Sequence, residues 1–245
     1  MRLKLKTAPV IKMLGVTALV ASIIVLIDSW FRSLPDYEIL MTDFPWILSD
    51  LVHIPQFLIP LLLIYHITEG RLGEYGFNLR EDPPLFTHRR MLVLGIASGL
   101  LMSLRYLSQI VRGVPLGISQ PVNVVNVVGT MTFQWIVVGV CEETMFRGFI
   151  QTYLMNNLEG GIEMAGHELH IGTIIGAIFW GGFHFINMLV MPLGSTVFLV
   201  VLTTMIGVLM GYAYQRTGSL LTTMTVHNTL FGVPLTIGYL LYWLT

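Results

Sequence analysis

Charge is what this sequence has least of. Only 11% of its 245 residues are Asp, Glu, Lys or Arg, and 54% are hydrophobic. A typical soluble domain carries about 25% charged residues. With a mean hydropathy of +0.75, the chain is excluded from the soluble globular class and reads as a polytopic membrane protein. The formal net charge is −1, so there is no basic excess for nucleic acid and none for an acidic polymer. One cysteine, Cys141, excludes an intrachain disulfide. In its apolar surroundings it reads as a small packing residue. Repeats, low-complexity tracts and an extramembrane domain are lacking too, which leaves a single transmembrane domain over residues 1–245.

What is present is apolar length. A bilayer-crossing helix needs about 20 apolar residues. Spans are predicted at 8–27, 46–67, 91–111, 127–155, 171–190, 195–214 and 219–244. The fold class expected is all-α, a polytopic membrane bundle of about seven helices. Pro55 and Pro60 should kink the second span, and Pro83-Pro84 should break any helix ahead of the third. The first span lacks a small-residue cleavage site before Asp28-Ser29-Trp30 and is taken as a retained helix. Seven spans place Arg2, Lys4, Lys6, Lys12, Arg71, Arg80, Arg89, Arg90 and Arg216 on the side of the amino terminus, with Arg32 and Arg112 opposite. The positive-inside bias then makes that terminus cytoplasmic. Gly172-xxx-Gly176 and Gly207-xxx-Gly211 mark close helix contacts.

The few intramembrane charges are concentrated. Glu142-Glu143-Thr144-Met145-Phe146-Arg147 lies inside the fourth span. Charges at that depth are costly and usually face a functional interior. Glu143 and Arg147, four residues apart, share a helix face and form a pair. Glu142 is turned about 100° away. One arginine cannot neutralise both carboxylates, so Glu142 is left to titrate or to act, and a desolvated carboxylate suits a general base. His184 lies in Trp180-Gly181-Gly182-Phe183-His184, where the two glycines should clear space beside it and Asn187 shares its face. His227 lies on the last span beside Asn228. Counting about 1.5 Å per residue from the inner helix ends puts Glu142 and His184 level, with His227 under two turns shallower. His167-Glu168-Leu169-His170 has histidines three apart rather than the four a zincin requires. It falls in a glycine-rich loop. His53, three residues after Asp50, is either a polar contact to the site or helix glue, and His66 and His88 sit near span ends where water reaches them.

These residues resemble a known family, the CAAX-protease and bacteriocin-processing (Abi) intramembrane endopeptidases. Its EExxxR motif is met by Glu142, Glu143 and Arg147, with Gly148 following; its FxxxH motif reads Trp180 to His184, with Trp for Phe. Its later histidine is His227, but Phe231 stands four residues on where the family has Asn or Asp. The resemblance covers about 131–231. It implies an intramembrane active-site cavity in which Glu142 activates water with help from His184. His227 stabilises the oxyanion, with Asn187 or Asn228 replacing the missing amide, and Glu143 with Arg147 orients the site. Glu142, His184 and His227 also make a three-ligand zinc set with one open position, or equally a metal-free base and oxyanion pair. The implied partners are membrane lipids and a membrane-associated protein or peptide substrate, prenylated or leader-bearing, in a bacterial or archaeal cell membrane. Two other classes stand beside this one: a non-catalytic immunity or scaffold protein of the same fold, and an ion or proton carrier. The absence of half-helix pairs and inverted repeats weighs against the carrier.

Overall fold

The computed structural model describes residues 6–80, 86–118, 121–164 and 166–244. Arg2, Lys4 and the Pro83-Pro84 break lie outside the described residues. Long helices dominate: α1 (Thr7–Arg32), α3 (Trp46–Thr68), α4 (His88–Val111), α5 (Val124–Asn157), α6 (Ile171–Phe183), α7 (Leu193–Thr217) and α8 (Leu220–Leu244). A short α2 (Tyr37–Asp43) follows α1. A 3-10 turn, Leu72–Tyr75, follows α3, and a second, His184–Leu189, extends α6. The all-α expectation holds. The glycine-rich loop between α5 and α6 is instead a small antiparallel hairpin, β1 (Gly161–Met164) with β2 (His167–His170).

Among the described residues six helices are long and apolar enough to cross a membrane: α1, α3, α4, α5, α6 with its 3-10 extension, and α7. The chain is an integral multi-pass membrane protein. The expected seventh span, α8, has the length at 25 residues but not the composition. Its polar residues explain why: Thr222, Thr223, His227 and Thr229 are all buried within the bundle, while apolar residues such as Leu240 and Trp243 face outward. Glycines of α4 seat it. A Cβ on Gly99 would lie 2.8 Å from the Thr229 carbonyl oxygen, so only glycine permits that approach.

Pro55 and Pro60 lie inside α3, which continues through both. Each removes a backbone donor, so the carbonyls of Leu51 and Gln56 lose their usual partners. The helix α5 changes winding twice, with π-helical stretches at Phe133–Val137 and Thr144–Gln151 on either side of the short α-helical segment that ends at Glu143. Thr152 Oγ1 donates to the Arg147 carbonyl five residues back, at 3.1 Å. Such insertions recur at functional sites. Around this helix lies the core, with Val20 of α1, Ile64 of α3, Phe146 and Ile150 of α5, Trp180 of α6 and Met210 of α7.

One end of the bundle is fastened. The connection after α3 is tied to the turn between α7 and α8: Asn78 Nδ2 donates to the Gly218 carbonyl at 2.7 Å, and Ser219 Oγ to that of Asn78 at 2.8 Å. The Leu220 amide donates to the Gly76 carbonyl at 2.9 Å.

Candidate active site

The two glutamates have unlike surroundings. Glu143 is fully buried; its Oε1 accepts from Arg147 Nη1 at 3.0 Å and lies 2.9 Å from His227 Nδ1. The i to i+4 pairing read from the sequence is therefore present, with His227 added to it from α8. Arg147, 2% exposed, lays its guanidinium over the Trp180 ring at 4.1 Å. Glu143 Oε2 and Arg147 Nη2 have no hydrogen-bond partner. The charges thus neutralise one another in a dry pocket, where breaking the pair would strand a charge.

Glu142 faces elsewhere. Its side chain keeps 12% of its surface exposed. Oε2 accepts from Trp180 Nε1 at 2.6 Å, and Oε1 lies 3.5 Å from His53 Nε2. His184 and His227 are close enough to act on it electrostatically. The level depths expected for Glu142, His184 and His227 therefore meet in one site, with Trp180 as its hub: the indole ring lies 5.6 Å from the His184 ring and 5.7 Å from that of His227.

Each histidine of the site is pinned through Nδ1. That atom of His53 lies 2.7 Å from the Ser49 carbonyl, and that of His184 lies 2.8 Å from the Trp180 carbonyl. Carbonyls only accept, so both Nδ1 atoms carry hydrogen, and His227 Nδ1 likewise donates to Glu143. Nε2 is left for other partners, as it is in histidines that bind metals. Even so, among the described residues no group of three His, Cys, Asp or Glu is arranged to hold a metal ion. Glu142, His184 and His227 share the site without forming such a group.

The supporting amides differ from each other. Asn187 Nδ2 donates to the His184 carbonyl at 3.0 Å, which steadies the 3-10 turn. Asn228 packs its Oδ1 against Gly139, one turn before Glu142, and that oxygen has no hydrogen-bond partner. Phe231, at the place of the expected amide, packs its ring 5.4 Å from that of His227.

Two readings need correction. Gly181 does not clear space for His184; a side chain there would strike Thr204 of α7, so its role is helix packing, while Gly182 borders open space. His88 is half-buried rather than solvated, whereas His66 is exposed as expected. The hairpin histidines stay away from the site. The His167 ring meets Tyr212 at 6.1 Å, and His170 Nδ1 accepts from the Gly172 amide at 3.0 Å, capping α6. Burial lowers the His170 pKa, with Glu168 and a backbone hydrogen bond opposing.

Two participants carried little sequence signal. Trp180 looked like a harmless aromatic exchange, yet its N–H holds Glu142. His53, read as either a polar contact to the site or helix glue, is the polar contact. Asp50, His53 and Gln56, three residues apart along an otherwise apolar span, were the pattern that marks a helix face turned toward a polar interior.

Comparison with curated proteins gives no match, and comparison with solved structures gives none either. Residues 124–230 match the model of one family, the type II CAAX prenyl endopeptidases, Rce1-like. That stretch runs from the start of α5 into α8 and carries Glu142, Glu143, Arg147, Trp180, His184 and His227. The motif-bearing core of this membrane protein is thus similar, as its motifs suggested, to the Rce1-like type II CAAX prenyl endopeptidases, a family of protease-type enzymes.

Proposed function

We propose that the protein is an intramembrane endopeptidase that hydrolyses a peptide bond of a membrane-associated protein or peptide, with Glu142 as general base. The observation that carries this reading is the inequality of the glutamates. Glu143 is consumed by Arg147 and His227, while Glu142 keeps an exposed edge beside histidines. Water gives a proton to Glu142 as its oxygen attacks the scissile carbonyl carbon. The C–N bond then breaks and the proton passes to the leaving amine. His184 assists at the attacking water. His227, held at Nδ1 by Glu143, stabilises the oxyanion, where fixed polar groups in a dry site are worth most. Asn228 is the amide left to share that role, since Asn187 donates to a carbonyl.

The substrate class follows from the family match: a chain end of CAAX type with a lipid-modified cysteine, or a leader peptide as the second choice. An apolar groove of about 850 Å³ between α1 and α6, lined by Val25, Leu26, Phe179, Phe183 and Ile186, supports a substrate that arrives through the lipid. The arginine and lysine distribution supports a cytoplasmic amino terminus.

A second reading is favoured by one observation. Phe231 packs on His227 where the family places an amide and lines an apolar cavity of about 490 Å³, which suits a non-catalytic immunity or scaffold protein. Quenched fluorogenic peptides ending in a farnesylated Cys-aliphatic-aliphatic-X sequence, together with unprenylated and leader-type controls, separate the two readings. Wild-type protein in lipid nanodiscs should cleave one of them, with and without chelator, and Glu142→Ala and His184→Ala should not. A cellular phenotype that survives both substitutions would sink the proteolytic reading.

A further inference from the structure

We infer that Trp180 and His53 are positioning residues that hold the two oxygens of Glu142 from opposite helices. This rests on the reading of Glu142 as the base. A glutamate side chain has three rotatable bonds, and a base must be held to within about half an ångström of its working geometry. Trp180 fixes Oε2 with a 2.6 Å hydrogen bond, the shortest polar contact in the site. The indole itself cannot shift. It is 1% exposed, Gly207 of α7 leaves it only the room it fills, and the Arg147 guanidinium covers its face at 4.1 Å. His53 approaches Oε1 to 3.5 Å from the other side, on α3. Its orientation is set by the Ser49 carbonyl at Nδ1 and by Phe133, whose ring meets it edge-on at 5.0 Å.

Neither role is carried by the family's motif. Phenylalanine, the motif residue at position 180, supplies the ring without the N–H. His53 lies outside the matched stretch of 124–230 altogether. The chain therefore orients its base with an indole N–H and an imidazole ring of its own, and brings α3, α5 and α6 together at one carboxylate.

The direct test needs no substrate. The chain has five tryptophans, so ¹⁵N-tryptophan labelling gives five indole N–H signals. The one lost in Trp180→Phe is that of Trp180. It should lie downfield of the others, move upfield in Glu142→Ala, and shift in His53→Leu. A Trp180 signal indifferent to Glu142→Ala overturns the inference.

Kinetics on the farnesylated peptide give the second test. Trp180→Phe and His53→Leu should each lower kcat about 10- to 100-fold, the scale of a misplaced reacting group, with KM changed less than about twofold. His53→Gln, which keeps a polar nitrogen at the end of a similar reach, should regain most of the rate. Equal losses in His53→Leu and His53→Gln, or an effect on KM alone, would indicate mere packing and overturn the assignment. Full activity in Glu142→Ala would instead remove the general-base reading itself. Loss in Glu142→Ala with wild-type rates in Trp180→Phe and His53→Leu would remove only this inference.

Discussion

The two glutamates stand side by side in the chain and live in different media. Glu143 shares a closed pocket with Arg147 and His227, none of them more than 2% exposed. Glu142 and His53 keep 12% and 15% of their side-chain surface. The closed side has a permanent charge balance and no access. The open side has access and, under the proposed function, a base whose partners can be exchanged for substrate and water. The pairing shows how a membrane interior can hold a reactive carboxylate: the neighbouring one is spent to anchor the cation and the histidine that the reactive one needs.

That contrast can be broken from either side. Glu142→Ala should abolish peptide cleavage, a loss on the order of 10³-fold for a missing general base, while thermal unfolding in detergent changes little. Arg147→Ala should do the reverse in kind. It strands the Glu143 carboxylate in a dry pocket, which costs about 3–5 kcal/mol of stability, read as a large drop in Tm. Replacing both partners with apolar residues, Glu143→Leu with Arg147→Met, should recover most of that stability without recovering cleavage, because His227 Nδ1 then loses its acceptor. Were the double variant active, the closed side would have no part in function.

A smaller effect should come from behind the site. A Cβ at Gly207 would lie 2.9 Å from Trp180 Cε3. Gly207→Ala should therefore push the indole toward Glu142, costing about 1–3 kcal/mol as an overpacked core and lowering kcat more than KM. The smallest effect lies farthest away, at the hairpin. His170 stays neutral because burial lowers its pKa in the folded protein. Its contribution is fully present above the ordinary histidine range, near about 6.5. It is lost as pH falls from there toward the folded value, since only the unfolded chain takes the proton readily. Tm should fall between neutral pH and mildly acidic pH, and His170→Asn, which keeps a cap acceptor for Gly172, should flatten that slope.

Much of the bundle was legible in the sequence because the bilayer writes its demand in residue types. The limits of α3, α6 and α8 fall within a few residues of the apolar runs. The Glu143–Arg147 pair followed from helical spacing alone. What was not legible depends on neighbours or on winding. The π-helical stretches beside Glu143 have no residue signature, since they arise where packing outweighs the usual register. The role of Gly181 could not be told apart from space beside His184 without knowing that Thr204 of α7 fills it. The hairpin at 161–170 is short, polar and glycine-flanked, and local pattern reads such stretches as loop. The work of Trp180 was hidden for a different reason. A motif classes it as an aromatic ring, and the atom that matters is its nitrogen.

The fastening of Asn78 to Gly218 and Ser219 bears on how anything enters. It joins, at one edge, the connection that follows His53's helix to the turn that precedes His227's helix. Opposite walls of the reaction chamber thus share a spine, like two boards of a book. Under the proposed function, a peptide is not admitted by parting them there; its route is the apolar groove between α1 and α6, which these hydrogen bonds do not bridge. A covalent cross-link added along the spine should leave turnover as it was, and one laid across the α1–α6 groove should stop it.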